Sequence, residues 1–308
     1  MGTFIPLKIA LSDTAPHKAV FSSGLKLSGY DVMLDPLAPG EMYSRAFEDE
    51  TLDAAEMSIA RYVRMKAKGE GDLVAIPYYF SRVFPHPTFY VRSDSPFQNP
   101  SQIAGCTIGM SEYDHTGHTW ARALLEDEYG IAPSAVKWIV AKRESSKSPI
   151  RHFFEPPSNV ALENAAPDKD LSTMLLDGEI DVLINPHKPG CFVEHPGKVR
   201  RLIANHEAVE RDYFEKTDIC PIQHVFGVRK ELVRNDPDLA RSLTQALVAA
   251  IGGTRQIWQP RSPQDKVPVV PLYGLGKGEE ASLKTFLRHH YGQGLSGRQI
   301  TLEEFFTP

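Results

Sequence analysis

Short apolar runs alternate with amphipathic stretches along nearly the whole chain, and this alternation restricts the fold more than any single motif does. Lys8 to Leu11, Leu73 to Pro77, Cys106 to Met110, Val136 to Val140, Ile180 to Ile184 and Val199 to Ile203 read as buried strands. Tyr30 to Leu37 alternates and ends in Pro-Gly punctuation; Pro87 to Arg92 and His224 to Arg229 are further strands. Between them lie helical patterns. One starts at Asp13-Thr14-Ala15-Pro16 and runs to Gly24 or Gly29, and one covers Met42 to Glu50. Leu52 to Ser58 reads as the entry to a helix carrying Ile59, Tyr62, Val63 and Met65. A helix from Thr116 to Tyr129 is closed by Gly130, Asn99 to Gly105 gives a short helix and turn, Leu171 to Leu176 a short helix, and Leu239 to Trp258 a long one. Residues 142–170 are polar and proline-rich and read as a long loop. Strands alternating with helices mean an α/β protein.

The run from 106 to 203 is a self-contained β-α-β-α-β set, and the helices after it need a sheet to cover. That implies an inserted second lobe: lobe 1 from 1–91 and 207–308, lobe 2 from 92–206, a hinge near 92, and substrate in the cleft between. A length of 308 residues fits about two domains. The net charge of −5 argues against nucleic acid as a bulk partner. Cys106, Cys191 and Cys220 form no CxxC pair and no disulfide framework. No apolar run approaches the roughly 18 residues of a spanning helix, so no membrane is expected. The N-terminus lacks a basic segment followed by an apolar one, so a cytoplasmic location is expected, although the sparse cysteines would also suit a periplasm.

Several motifs occur in a fixed order: Asp53-Ala54-Ala55-Glu56-Met57-Ser58-Ile59-Ala60, then Ala75-Ile76-Pro77 with Ser81-Arg82-Val83-Phe84-Pro85-His86-Pro87. Glu112-Tyr113, Thr116, Trp120 to Leu125 and Tyr129-Gly130 follow, then Pro221-Ile222-Gln223-His224-Val225, Gln293 to Ser296 and Leu302 to Phe306. In this order they resemble the 4,5-dihydroxyphthalate decarboxylases over most of the chain, the stretch 142–170 excepted. The resemblance implies a two-lobed type II periplasmic-binding-protein-like (Venus flytrap) fold, each lobe a mixed sheet flanked by helices with hinge strands between. It also implies an aromatic acid substrate and decarboxylation toward a protocatechuate-type catechol.

Such a reaction protonates the ring carbon that bears the carboxylate while the para hydroxyl loses its proton, and it needs no redox cofactor. It needs an acid, a base and a cation for the carboxylate that stays. Arg82, in a predicted loop after a buried strand, offers the bidentate fork. His86, held between two prolines, and His224, in an apolar stretch, are candidate acid and base. Against them stand a surface ion pair for Arg82, a backbone-bonded loop histidine for His86 and a satisfied core histidine for His224. Glu112, at the edge of a predicted strand, suits a catechol hydroxyl or the orientation of a histidine. Ser58, Ser81 and Thr116 offer hydroxyls near strand ends or helix starts, where capping is the commoner use.

His115 and His118 depart from the family pattern and share a helix face; His118 is a candidate for substrate choice. With Glu112 they form an alternative divalent-metal set, Glu-x-x-His-x-x-His, whose spacing is no metalloenzyme signature. Asn185, His187 and Lys188 follow a strand at a ligand-facing edge. His289-His290 reads as a structural or surface pair, and Trp120 as core. The expectation is therefore no cofactor, a small aromatic acid as the partner, and an oligomeric state left open, including a homo-oligomer. A solute-binding protein for a carboxylate, or a related lyase such as a chorismate-type dehydratase, remains the alternative. No P-loop, GxGxxG, GxSxG or HExxH occurs. The segment 260–280 is rich in proline and glycine and reads as a lid or an arm.

Overall fold

A computed structural model describes residues 4–14, 17–143, 157–260 and 267–308. Ala15 and Pro16 of the expected helix start, the middle of the expected loop (144–156) and 261–266 lie outside the described residues. The chain forms two compact units. The first comprises Met1–Val83, Cys220–Lys284 and Ile300–Pro308, and the second Phe84–Ile219 and Thr285–Gln299. The crossings fall at Val83 and Ile219, and a C-terminal piece joins the second unit, which chain pattern alone does not reveal.

The first unit holds a five-stranded sheet. Its strands are β1 (Ile5–Ser12), β2 (Tyr30–Leu37), β3 (Ala54–Ser58), β4 (Leu73–Arg82) and β11 (Ile222–Arg229), in the order β2-β1-β3-β11-β4. β1 pairs in parallel with β2 and β3, while β11 runs antiparallel to β3 and β4. Leu7, Ile9 and Leu11 of β1 pack with Ile76, Phe80, Phe226 and Val228, and with Leu239, Leu243 and Leu247 of α9 (Leu239–Ile251). The i, i+4, i+8 spacing on α9 places these leucines on one helix face, which is why it seats on the sheet. Helices α1 (Lys18–Ser23), α2 (Pro39–Glu48), α3 (Ile59–Lys68), α8 (Lys230–Asn235) and α11 (Leu302–Phe306), with a small hairpin of β12 (Thr254–Gln256) and β13 (Val269–Pro271), complete the unit.

Two expectations fail here. Residues 54–58 form the central strand rather than a helix entry, and the helix begins only at Ile59. The long helix ends at Ile251 rather than Trp258, because Gly252 adopts φ 106°, a backbone conformation open mainly to glycine.

The second unit holds a six-stranded sheet made of β5 (Phe89–Arg92), β6 (Thr107–Met110), β7 (Lys137–Val140), β8 (Ala161–Asn164), β9 (Val182–Ile184) and β10 (Val199–Arg201). The order is β10-β5-β9-β6-β7-β8; β9, β6, β7 and β8 are parallel and β5 is antiparallel to both its neighbours. β8 lies within the stretch read as a loop; it is a mostly exposed edge strand paired, among the described residues, with β7. Helix α4 (Thr116–Tyr129) has the expected bounds and ends on Gly130 at φ 67°. The unit also contains α5 (Leu171–Asp177), α6 (Gly190–Val193) and α7 (His206–Thr217). The helix α10 (Lys277–Gly292) carries the chain from one unit into the other. No helix among the described residues is long and apolar enough to cross a membrane.

Candidate active site

In the first unit, β1, β3 and β4 all end at one edge of the sheet, and the antiparallel β11 begins there. His224 of β11 pairs with Ser58 on one side and Ser81 on the other. Three residues picked from sequence therefore share one row across three adjacent strands.

Beside that row stands a cluster the sequence reading did not assemble. Glu56, on the central strand β3, is buried. Its Oε1 lies 2.8 Å from His224 Nδ1. Its Oε2 accepts the Ser12 backbone N–H at 3.1 Å and also the Ser12 hydroxyl. His17 Nδ1 lies 2.7 Å from the Ser12 carbonyl, so that nitrogen carries the proton. The same nitrogen is 3.7 Å from Glu56 Oε2.

Burial alone would raise the Glu56 pKa. The hydrogen bond and charge of His224, the charge of His17 and the Ser12 hydroxyl outweigh it and bring the value down to about 2. Glu56 is thus an anion at any working pH, and a buried anion persists only where it is paired and hydrogen-bonded. His224 itself keeps a side-chain exposure of 16%. Glu56 stands in the Asp53-to-Ala60 motif and could have been found there as a carboxylate amid apolar neighbours; Ser12 and His17 left no comparable sequence signal.

Arg82 lies at the end of β4, inside a strand rather than in a loop. Its Nη1 donates to Glu279 Oε1 at 2.5 Å and to the Pro271 carbonyl at 2.9 Å, and its Nη2 donates to the Cys220 carbonyl at 3.1 Å. The ion pair is sealed, with side-chain exposures of 1% and 5%. Arg82 is therefore occupied by its own unit.

The second unit places its candidates in two groups. One lies where the parallel strands β6 and β9 end and α4 begins, the side on which doubly wound sheets take ligands. Glu112, His115, Thr116, His118, Asn185 and His187 are all there. His115 is the N-cap of α4, and its Nδ1 accepts the Gly117 N–H at 3.1 Å. His118 is fully buried, its Nδ1 donates to the Glu112 carbonyl at 2.6 Å, and its Nε2 has no partner. Burial, then the His115 charge, holds the His118 pKa well below its ordinary value. The protein around Glu112 and the Asp114 charge raise its carboxyl pKa, against the pull of Arg143. Among the described residues no three His, Cys, Asp or Glu side chains are arranged to hold a metal. The alternative Glu112, His115, His118 set is not such a group.

His86 is elsewhere. It lies in a 3-10 turn, His86–Thr88, buried against Phe84 and Tyr213 with ring centroids 5.9 and 5.5 Å away. It lines a small cavity with Glu128 and Tyr129, residues at the C-terminal end of α4. At 1.5 Å per residue, that end is roughly 20 Å from the α4 N-terminus where Glu112 and Thr116 lie. Its Nδ1 has no partner, and burial followed by the charge of His206 lowers its pKa to about 3. His86 and Glu112, both catalytic candidates from sequence, are thus held apart. His289 and His290 are buried; His289 Nε2 meets Asp127 at 2.8 Å and His290 Nδ1 meets Ser296 at 3.1 Å, in structural roles. Trp120 is core, its ring tilted against that of Phe286 with centroids 5.5 Å apart.

No protein-family model matches the chain. It is similar to a protein of Comamonas testosteroni named 4,5-dihydroxyphthalate decarboxylase, 28% identical over 320 residues, covering 99% of this chain and 97% of the relative. A Pseudomonas putida protein of the same name is 29% identical over 208 residues, covering 68% of this chain and 81% of the relative. Among solved structures, the periplasmic aliphatic sulphonate binding protein SsuA of Escherichia coli superposes with a TM-score of 0.60 at 11% identity, covering 99% of this chain and 93% of that one. The fold is that of the periplasmic binding proteins.

Proposed function

We propose that the chain is a carboxy-lyase that removes CO2 from an aromatic dihydroxy diacid, 4,5-dihydroxyphthalate, to leave a protocatechuate-type catechol. The likeness to two proteins of that name, one along 99% of the chain, supports the reaction class. The observation that carries the chemistry is the Glu56–His224 pair. A carboxylate anion on Nδ1 fixes the tautomer of His224, so Nε2 is the nitrogen that exchanges a proton with substrate, and Glu56 stabilises the imidazolium.

In the proposed step, the para hydroxyl gives its proton to solvent water and pushes electron density into the ring. The His224 imidazolium delivers its Nε2 proton to the ring carbon that bears the carboxylate. The bond to the carboxyl carbon then breaks, its electron pair returns to the ring, and CO2 leaves; the product phenolate and the neutral His224 each regain a proton from solvent. Serines 58 and 81, in register with His224, are hydroxyls suited to the catechol oxygens.

The test is CO2 release from 4,5-dihydroxyphthalate, followed with the product's ultraviolet spectrum, for wild type and His224→Asn. Turnover in wild type that falls at least about 100-fold in the variant, with substrate still bound, supports the assignment. Wild type that binds the diacid and releases no CO2 refutes the reaction. Unchanged turnover in His224→Asn removes His224 from it.

A further inference from the structure

The expected cation for the carboxylate that stays, Arg82, is consumed by Glu279 and three backbone contacts. Another guanidinium is placed differently. Arg143 lies three residues beyond β7, the strand paired to β6, so it stands at the same sheet edge as Ser111 and Glu112. Its Nε and Nη2 donate to one atom, Ser111 Oγ, at 3.3 and 3.2 Å. Among the described residues no carboxylate lies within ion-pair distance of it.

Its charge is nevertheless felt by its neighbours. It draws the Glu112 pKa down against the raising effect of burial. After partial burial, it is the cause that lowers His187, and it adds to the lowering of His118. A half-buried cation that disfavours protonation of two histidines, with no carboxylate at ion-pair distance among the described residues, is an electrostatic arrangement completed by a bound anion. The geometry adds direction. Serine takes the Nε–Nη2 side and steadies the guanidinium plane, so the Nη1–Nη2 end keeps donors for the two oxygens of one carboxylate. Arg122 of the same unit offers a contrast. It is buried, lies 3.7 Å over the Tyr113 ring, and bonds Gln293 and the Tyr113 carbonyl.

We infer that Arg143 is the carboxylate-binding residue of the second unit, gripping a carboxylate group of an aromatic diacid end-on, with Ser111 as its positioning partner. The identity of the acid rests on the decarboxylase reading above; the binding of a carboxylate does not.

The experiment is calorimetric titration of phthalate and of catechol into wild type, Arg143→Gln, Arg143→Lys and Ser111→Ala, with circular dichroism melts as the folding control. Phthalate lacks the hydroxyls that drive the reaction and reports binding alone. Arg143→Gln should weaken phthalate by about 10- to 100-fold and leave catechol unchanged. Arg143→Lys should recover only part of the loss, because an ammonium is a point charge and not a fork. Ser111→Ala should lose a few-fold. Phthalate bound equally well by wild type and Arg143→Gln overturns the inference, as does a wild type that fails to bind phthalate at all. If wild type binds phthalate through Arg143 but releases no CO2 from 4,5-dihydroxyphthalate, the decarboxylase reading fails and the carboxylate site stands.

Discussion

The most exacting prediction concerns His86 and acid. In the folded protein its pKa is about 3, because burial disfavours the charged ring and the His206 charge adds to that. In the unfolded chain it returns to its ordinary value near 6.5. The folded pKa is the lower one, so the unfolded chain binds the proton more tightly. The stability linked to His86 is complete above pH 6.5 and is lost as pH falls toward 3. At about 1.4 kcal/mol per unit, the shift corresponds to about 5 kcal/mol across the whole window, and to about 3 kcal/mol between pH 7.5 and 4.5. The assay is urea unfolding at those two pH values for wild type and His86→Phe. Phenylalanine keeps the ring among Phe84 and Tyr213 and removes a nitrogen that has no partner. Other groups lose stability in acid too, but the difference between the two proteins isolates His86. Wild type should lose about 3 kcal/mol more than the variant. Equal losses would refute the reasoning and show that His86 is solvated or partnered. The variant's kcat should stay within a few-fold of wild type; a collapse would return His86 to the proton-transfer machinery.

Other perturbations test other parts of the molecule. Glu279→Gln leaves Arg82 charged and sealed, and should cost about 3–5 kcal/mol in chemical unfolding, whereas Arg82→Met with Glu279→Leu together should recover most of it. Glu56→Gln removes the anion behind His224 and should lower kcat by about 100-fold or more with a smaller change in KM. Because the folded Glu56 pKa is about 2, its pairing stabilises the protein above the ordinary carboxylate pKa and is lost only as pH falls below about 4. Isotope-edited infrared spectra should therefore show its ionised band at pH 5, and a protonated band there would contradict the cluster. Gly130→Ala, at φ 67°, should destabilise by about 1 kcal/mol in the same unfolding assay.

Where the sequence pattern was strong, the structure agrees in detail. Thr116–Tyr129 has its apolar stripe and its C-terminal glycine, and both ends were readable. Where local preference and tertiary pairing disagree, the reading failed. Ala54, Ala55 and Glu56 favour helix in isolation, but this segment is flanked by β1 and β11, and ladder pairing on both sides overrides propensity. That single misreading hid Glu56, since a carboxylate entering a helix is ordinary and a carboxylate on a buried central strand is not. Pro77 looked like a strand end and put Arg82 in a loop. β4 instead continues past a bulge, with Ile76 and Tyr79 paired to consecutive residues of β11, so the missing N–H of Pro77 costs the ladder no bond to β11. The strand Ala161–Asn164 was invisible because an edge strand with a mostly exposed face carries no apolar periodicity. Arg143 sits in the polar stretch read as loop, where composition says nothing about which arginine has a counter-charge.

Among the described residues of the first unit, two buried carboxylates pair with basic side chains, and the difference between them separates a site from a strut. Glu279 and Arg82 are both sealed, at 5% and 1% side-chain exposure, so no ligand can reach either member and the pair can only hold β4 to its neighbours. Glu56 is equally hidden, but its partner His224 remains 16% exposed at the sheet edge. A charge on a central strand costs stability that an apolar residue would not, and buried pairs are weak stabilisers in general. Strand β3 nevertheless carries one, held by two donors from Ser12 and one from His224, with a titratable imidazole as its outlet to solvent. A strut needs no such outlet, whereas a proton-transfer group does. That asymmetry, rather than the count of histidines, is the physical reason for proposing His224 as the proton carrier.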